Sequence, residues 1–370
     1  LLRLAALAGS GVFITGCRQG LVLRDERDLA TAALTDARAG TEFAHRATDT
    51  PSARKSTPHP APSARELGVD SDLRLTANED FYTMKFHPSD PPVVDPEAWR
   101  LVVDGLVASP LALSLADLRA LPVVTFMRTL ECISNPAGGT LIGNAVWEGV
   151  RLADVLRAAA VDPAGKYLRL ESADGYHTGI PLELANDEAS TLVMMMNGVQ
   201  LPAEHGFPLR CLFPGRYGQK QPKWLTGITL QATPHKGHWE KQGWSDTAEI
   251  RVNSRIDSAT RPKAVGEPVV VRGIAFSDAS GVVSVELVVD RKDGYPATLL
   301  QRAPVPFTTL TWTEWEWTWT DPPAGNHVIQ AKARDGNGLT QNNPRKNLLA
   351  GTFPDGTSDM PQVTVQVPGG

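Results

Sequence analysis

The pattern of hydrophobic and polar positions changes texture twice along the chain, near residue 70 and near Asp246. Between these points short apolar runs are separated by turn formers, which predicts strands. They are expected at Trp99–Val103 before Asp104-Gly105, at Tyr167–Leu170 before Asp174-Gly175, at Leu209–Phe213 before Pro214-Gly215, and at Trp224–Leu230. One stretch has the helical period instead: Leu152, Val155, Leu156 and Ala159 fall at i, i+3, i+4 and i+7 and share one helix face. Ser114-Leu115-Ala116-Asp117 has the form of a capping box and predicts a short helix. An apolar approach through Val123, Val124, Phe126 and Met127 leads into Thr129-Leu130-Glu131-Cys132-Ile133-Ser134-Asn135-Pro136-Ala137-Gly138-Gly139. Asn-Pro and Gly-Gly mark a loop there. Strands and helices mix without regular alternation, so the fold class expected is α+β.

Beyond Asp246 the pattern is almost purely that of strands. Val283, Val285, Leu287 and Val289 alternate on one face, and Asp293-Gly294 supplies a hairpin turn. Trp315, Trp317 and Trp319 alternate against Glu314, Glu316 and Thr318; Trp312 is out of phase, which predicts a bulge or register change. Val328–Ala333 runs to Asp335-Gly336. Several short strands separated by turn signals read as a β-sandwich over residues 246–370. A length of 370 residues fits two domains with a tail.

Upstream, residues 1–17 carry Arg3, an apolar run and the ending Ile14-Thr15-Gly16-Cys17. A positively flanked apolar segment with a small residue near its end is the pattern of an export signal. The ending also resembles a bacterial lipoprotein cleavage box with Cys17 as the lipidated residue, and the run is shorter than the roughly 20 apolar residues that span a bilayer. The expected location is therefore the periplasm or the extracytoplasmic face of a membrane, with Cys17 as a lipid anchor. Residues 18–70 read as a flexible linker with a transient helix near Leu29–Ala39. Pro51, Pro58, Pro60 and Pro62 stand there among Ser, Thr, Ala and charges, too polar to offset chain entropy by burial. A net charge of -5 and the lack of a basic stripe argue against a nucleic-acid partner. Cys17, Cys132 and Cys211 form neither a CxxC pair nor a zinc spacing, and all three are expected to be unpaired.

A free cysteine is commonly an inert core residue, and Cys211, inside an apolar strand, reads that way. Cys132 is placed differently, because a strand that delivers a thiol to a glycine-rich turn suits a ligand or a nucleophile. Three further stretches accompany it: Asn78–Tyr82, His177, and the run from Asn197-Gly198 to Leu225. That run contains Leu201-Pro202, His205-Gly206-Phe207-Pro208-Leu209-Arg210, Pro214-Gly215-Arg216-Tyr217-Gly218, Lys220 and Lys223-Trp224-Leu225. The combination resembles the sulfite oxidase family of molybdopterin enzymes over about residues 71–370. The resemblance implies a molybdopterin-binding catalytic domain over 71–245 and an immunoglobulin-like dimerisation domain over 246–370, the latter including Ser254-Arg255-Ile256-Asp257. It implies Mo-molybdopterin as cofactor, with Cys132 as the catalytic thiolate ligand of the metal. Thiolates are soft ligands, and metal binding keeps them deprotonated. Asn78, Tyr82 and Ser172 match positions near the pterin. His205 and Arg210 match contacts to its phosphate, and Gln221, Pro222 and Lys223 match a loop that wraps it. Arg210 also reads as a structural ion pair, Lys220 and Lys223 as solvated loop charges, and His205-Gly206 as a turn. His177 reads as structural more than catalytic.

The implied activity is oxygen-atom transfer to or from a small sulfur oxyanion or sulfoxide. The implied partners are a small-molecule substrate, a separate cytochrome or quinone-linked electron carrier, and a second copy in a homodimer. The sequence departs from the family's pattern at two places. Met194-Met195 stands where sulfite oxidases carry a tyrosine, and Thr83-Met84-Lys85 follows Phe81-Tyr82 where they carry an arginine. An oxyanion pocket then needs cations from elsewhere, for which Arg128, Arg216 and Lys85 are the candidates. A surface-tethered scaffold that has lost the metal is the alternative from a different class.

Overall fold

The computed structural model describes residues 60–85, 90–300, 308–341 and 351–369. The export segment with Cys17 and the expected helix at Leu29–Ala39 lie outside the described residues. No helix among the described residues is long and apolar enough to cross a membrane.

The strands of the first part are β1 (Leu101–Gly105), β2 (Leu111–Leu113), β3 (Val123–Glu131), β4 (Ile142–Arg151), β5 (Tyr167–Ser172), β6 (His177–Pro181), β7 (Thr191–Met196), β8 (Val199–Gln200), β9 (Arg210–Leu212) and β10 (Leu225–Gln231). Those of the second are β11 (Asn253–Ala259), β12 (Val269–Phe276), β13 (Val282–Val289), β14 (Lys292–Pro296), β15 (Thr298–Leu299), β16 (Thr313–Trp319), β17 (Gly325–Asp335) and β18 (Gln362–Val367). The helices are short: α1 (Leu115–Arg119), α2 (Leu152–Ala159), α3 (Leu182–Ala185) and α4 (His238–Lys241). The described residues are thus mostly sheet, with short helices between the strands.

Four sheets carry it. One has the order β2-β1-β10-β5-β6, with β1 and β10 parallel. A second, β3-β4-β7-β8 with β9 on β7, holds the cysteine strand. The other two are β11-β12-β16-β15 and β14-β13-β17-β18. The helix read from its periodicity is present, and Leu152, Val155, Leu156 and Ala159 are all buried in one core with β1, β5, β6, β9 and β10. The capping box closes α1: Ser114 Oγ accepts from the Asp117 N–H at 3.2 Å, and the Ser114 N–H donates to Asp117 Oδ2 at 2.9 Å.

The two sheets of the second part share a single core, to which one contributes Val269, Val271, Trp315 and Trp317 and the other Val285, Leu287, Ile329, Ala331 and Val365. Three expectations are corrected here. Val283 is exposed, because the ladder shifts register between Val282 and Ser284 and puts Val282 inward instead. The hairpin turns at Asp290-Arg291, both with positive φ (49° and 69°), and Asp293-Gly294 lies inside β14. Trp312 precedes β16 and makes no bulge in it, because the ring packs the other way, into a separate core with Met127, Ile133, Ile142, Val146, Ile274 and Phe276. That core also takes Ala64, Val69, Leu73 and Leu75, so Ala64 and Val69, expected to be linker, are packed. The cysteine strand is thereby clamped between the first part's interior and the second part.

Candidate functional site

β3 pairs with β4 over nine residues, Val123↔Val150 to Glu131↔Ile142, and the next residue is Cys132. Its N–H donates to Leu141 O at 2.9 Å and its carbonyl accepts from Asn135 N at 2.9 Å, so the chain turns at once. Asn135 Oδ1 accepts from the Leu141 N–H at 2.9 Å and closes the loop. Gly139 is required by this closure, since a Cβ there would lie 2.4 Å from Asn135 Oδ1 and 2.7 Å from Pro136 Cδ. Cys132 Sγ lies 3.1 Å from Ser134 Oγ. Burial raises the thiol above its ordinary pKa, with Ser134 opposing. A bound cation would reverse that balance. Among the described residues no three His, Cys, Asp or Glu side chains suit a shared metal ion.

Gly218 lies against the cysteine turn. A Cβ on it would lie 3.0 Å from Tyr82 Oη and 4.0 Å from Cys132 Cα, which places Tyr82, Gly218 and Cys132 around one point. The Tyr82 hydroxyl is pushed well above its usual pKa by burial and then by Cys132, while Arg210 pulls the other way. Phe81 stacks on Tyr82 at 5.6 Å and meets His205 edge-on at 5.6 Å. His205 Nε2–H donates to Asn78 O at 2.9 Å, and Asn197 Nδ2 donates to Asn78 Oδ1 at 2.8 Å. Asn78, Tyr82 and His205 therefore form a connected group.

Arg210 and Lys223 meet beside it. Gly206, with φ +116°, permits this: a Cβ there would come within 2.9 Å of Lys223 Cβ and 3.2 Å of Arg210 Cβ. Arg210 donates from Nη1 to His205 O at 3.1 Å and from Nη2 to Gln221 O at 3.4 Å, and lies 5.5 Å from the Trp147 ring centre. No carboxylate among the described residues pairs with it, which does not support the structural ion-pair reading. Lys223 Nζ donates to Glu204 O at 2.9 Å and sits 4.3 Å above the Trp224 ring. Burial holds all three basic groups below their ordinary values: His205 down to about 4, Lys223 to about 7, Arg210 to about 10. Arg210 adds to the shift at both His205 and Lys223. A corner where cations repel in a low-dielectric site stabilises an arriving anion. Arg210 Nε, in this corner, is buried and has no hydrogen-bond partner among the described residues. A soft thiolate, a cationic corner and an unpaired guanidinium N–H fit a metal-bearing pterin with a phosphate.

Some expected side chains are occupied otherwise. Gln221 spends its amide on backbone, accepting from Phe213 N at 2.8 Å and donating to Phe213 O and Arg216 O at 3.2 and 2.7 Å. Pro222 O accepts from Cys211 N at 3.0 Å. Both residues shape the loop and leave the polar contacts to Arg210 and Lys223. Arg128 is buried with Nη2 on Ala189 O at 2.6 Å and its guanidinium 4.7 Å from the Phe126 ring centre. Arg216 lies 3.4 Å from Glu249. Of the three candidate substrate cations, Lys85 is the one whose charge is felt at Lys223. Met194 lies in the core. Cys211 is buried and free, its thiol pushed far up by desolvation.

Three features were not read from the sequence. Lys220 is no solvated loop charge, for its ammonium is buried against Glu240, Thr178 Oγ1 and Gly179 O. Tyr176 Oη donates to Gln219 O at 2.5 Å and so holds the turn before Lys220. His177 Nδ1 lies 2.9 Å from His235 Nε2. The adjoining Gly-Gln-Lys text was the available signal for the first two.

Residues 87–239 match the oxidoreductase molybdopterin binding domain family. The chain is 36% identical over 190 residues to the uncharacterized oxidoreductase YuiH of Bacillus subtilis, covering 50% of this chain and 94% of YuiH. It is 28% identical over 320 residues to the mitochondrial sulfite oxidase of Drosophila melanogaster, covering 73% of this chain and 55% of that protein. The chain thus spans nearly all of YuiH but little more than half of the sulfite oxidase. In fold it is similar to the sulfane dehydrogenase SoxCD from Paracoccus pantotrophus, with a TM-score of 0.62 and 21% identity, covering 86% of this chain and 96% of that one.

Proposed function

The chain belongs to the sulfite oxidase family of molybdopterin oxidoreductases, and on that premise we propose that it transfers an oxygen atom to or from a small sulfur oxyanion or sulfoxide. Mo-molybdopterin is the family's cofactor, and when bound it supplies the two-electron chemistry. The chain's own residues do the rest. Cys132 holds the metal. Arg210 and Lys223 neutralise the phosphate, Arg210 through its free Nε and Lys223 as a point charge. His205 stays neutral and fixes the Asn78 turn through its Nε2–H. Tyr82, protonated across the physiological range, keeps an O–H donor beside the thiol. Lys85 supplies positive charge near the substrate in place of the absent arginine. The observation that carries the reading is the convergence of Cys132, Tyr82 and Gly218 on one point, with Arg210 bordering it.

In the same reading residues 71–245 are the catalytic domain and 246–370 an immunoglobulin-like domain that pairs two copies. The chain acts at the extracytoplasmic side of a membrane, tethered through Cys17, and passes electrons to a separate carrier. The test is metal analysis of the full chain from a molybdopterin-competent host, with activity on sulfite plus ferricyanide and on methionine sulfoxide plus a reduced dye. About one molybdenum per chain is expected by analogy with single-site metal cofactors. Cys132→Ala should abolish turnover while the circular dichroism spectrum stays unchanged. A metal-free protein would support a scaffold instead, and a Cys132→Ala variant with full activity would reject Cys132 as the metal's ligand.

A further inference from the structure

Glu131, the last residue of β3, points its carboxylate away from solvent between two asparagines. Its Oε1 accepts from Asn135 Nδ2 at 2.8 Å, and its Oε2 accepts from Asn253 Nδ2 at 2.8 Å. Asn135 belongs to the cysteine turn itself, whose N–H bonds Cys132 O. Asn253 opens β11, more than a hundred residues later, and is itself buried. Its Nδ2 also donates to Arg251 O at 2.9 Å. Arg251 in turn holds Asp355, with Nη2 to Oδ2 at 2.6 Å and Nε to the backbone oxygen at 3.1 Å. The far side of the cysteine loop is also touched from the second part, where a Cβ on Gly138 would meet Pro361 Cβ at 3.4 Å.

We propose that Asn253 is a positioning residue for Cys132, acting from the second part of the chain through the Glu131 carboxylate and Asn135. The proposal rests on the reading of Cys132 as the metal's ligand. The carboxylate can satisfy both amides only while the turn keeps its shape. Asn135 then fixes Leu141 and the Cys132 carbonyl, and so the direction in which the thiol leaves the backbone. Residues that orient a metal ligand through hydrogen bonds change affinity or activity by about 10–100-fold when removed. The β-rich part is on this view a wall of the site as well as a neighbour to it.

The experiment uses the full chain in two forms, metal-loaded and cofactor-free. In the cofactor-free form, iodoacetamide alkylation at Cys132 is followed by mass spectrometry, with buried Cys211 as the internal reference. Asn253→Ala should speed Cys132 alkylation by about 10-fold or more, and in the loaded form lower kcat by about 10-fold with KM within about two-fold. A folded Asn253→Ala protein with wild-type alkylation and wild-type kcat would overturn the proposal. Should that variant fail to fold, Glu131→Gln serves, because it keeps the volume. Whichever way its amide turns, one asparagine donor meets an N–H, so the same two effects are expected, and their absence overturns the proposal. Faster alkylation in a chain that takes up no molybdenum would leave the strut standing and remove the oxidoreductase reading. Full metal loading and turnover with unaltered alkylation and kcat in the variants would do the reverse.

Discussion

His205 shows how a motif residue acquires its physical state from its surroundings. The ordinary imidazole titrates near 6.5, but burial brings this one down to about 4. Below pH 6.5 the unfolded chain binds a proton that the folded chain refuses. Stability is therefore complete above about 6.5 and is lost as pH falls toward 4, by about 2 kcal/mol at pH 5. His205→Gln removes the titrating group, and urea unfolding at pH 7.5 and pH 5 should show a loss on acidification smaller by that amount than in the wild type. An equal loss would mean that His205 is as free to protonate in the folded chain as in the unfolded one. The sequence named this residue, Arg210 and Lys223, because a motif records which residue types meet an anion. It did not say that Gln221 spends its amide on Phe213 and Arg216, nor that Arg128 points at Ala189, because side-chain direction depends on contacts made far along the chain.

At the scale of elements, the amphipathic helix and the tryptophan alternation were legible because a single period governs each. The exposed Val283 and the turn at Asp290-Arg291 were not: a register shift and a positive φ at non-glycine residues leave no mark on an alternating apolar run. The turn Gly218–Lys220, which brings Gly218 to the cysteine, rests on an anchor that composition also hides. Lys220 and Glu240 are side chains 3% and 1% exposed, and Glu240 leaves α4 to reach the ammonium. Breaking a buried pair strands one charge at a cost of about 3–5 kcal/mol, whereas replacing both partners with apolar groups of like size is often neutral. Glu240→Leu should therefore lower the denaturation midpoint sharply, and the double variant Lys220→Met, Glu240→Leu should recover most of the loss. A double variant as unstable as the single one would show that Thr178 and Gly179, the other partners of the ammonium, set its energetics instead.

At the scale of the molecule, the division at residue 246 that texture suggests is crossed by a core. Met127, Ile133, Ile142 and Val146 from around the cysteine loop share it with Ile274, Phe276 and Trp312 from the other side. Trp312 is the centre of this contact. Its backbone N–H donates to Thr129 Oγ1 on the cysteine strand at 2.8 Å, and its ring lies 5.6 Å from the Arg74 guanidinium and 6.0 Å from that of Arg255. Two parts joined by a buried core have no reason to unfold separately, since parting them exposes apolar surface on both at about 25 cal/mol per Å². A single calorimetric transition is expected, with far-ultraviolet and tryptophan signals coincident. Trp312→Ala removes a buried indole at a cost of about 3–5 kcal/mol. Because that ring belongs to both parts, the variant should move the whole transition down together. Two resolved transitions in the wild type, with Trp312→Ala shifting one alone, would mean that each part stands by itself and that the cysteine strand needs no support from beyond residue 246.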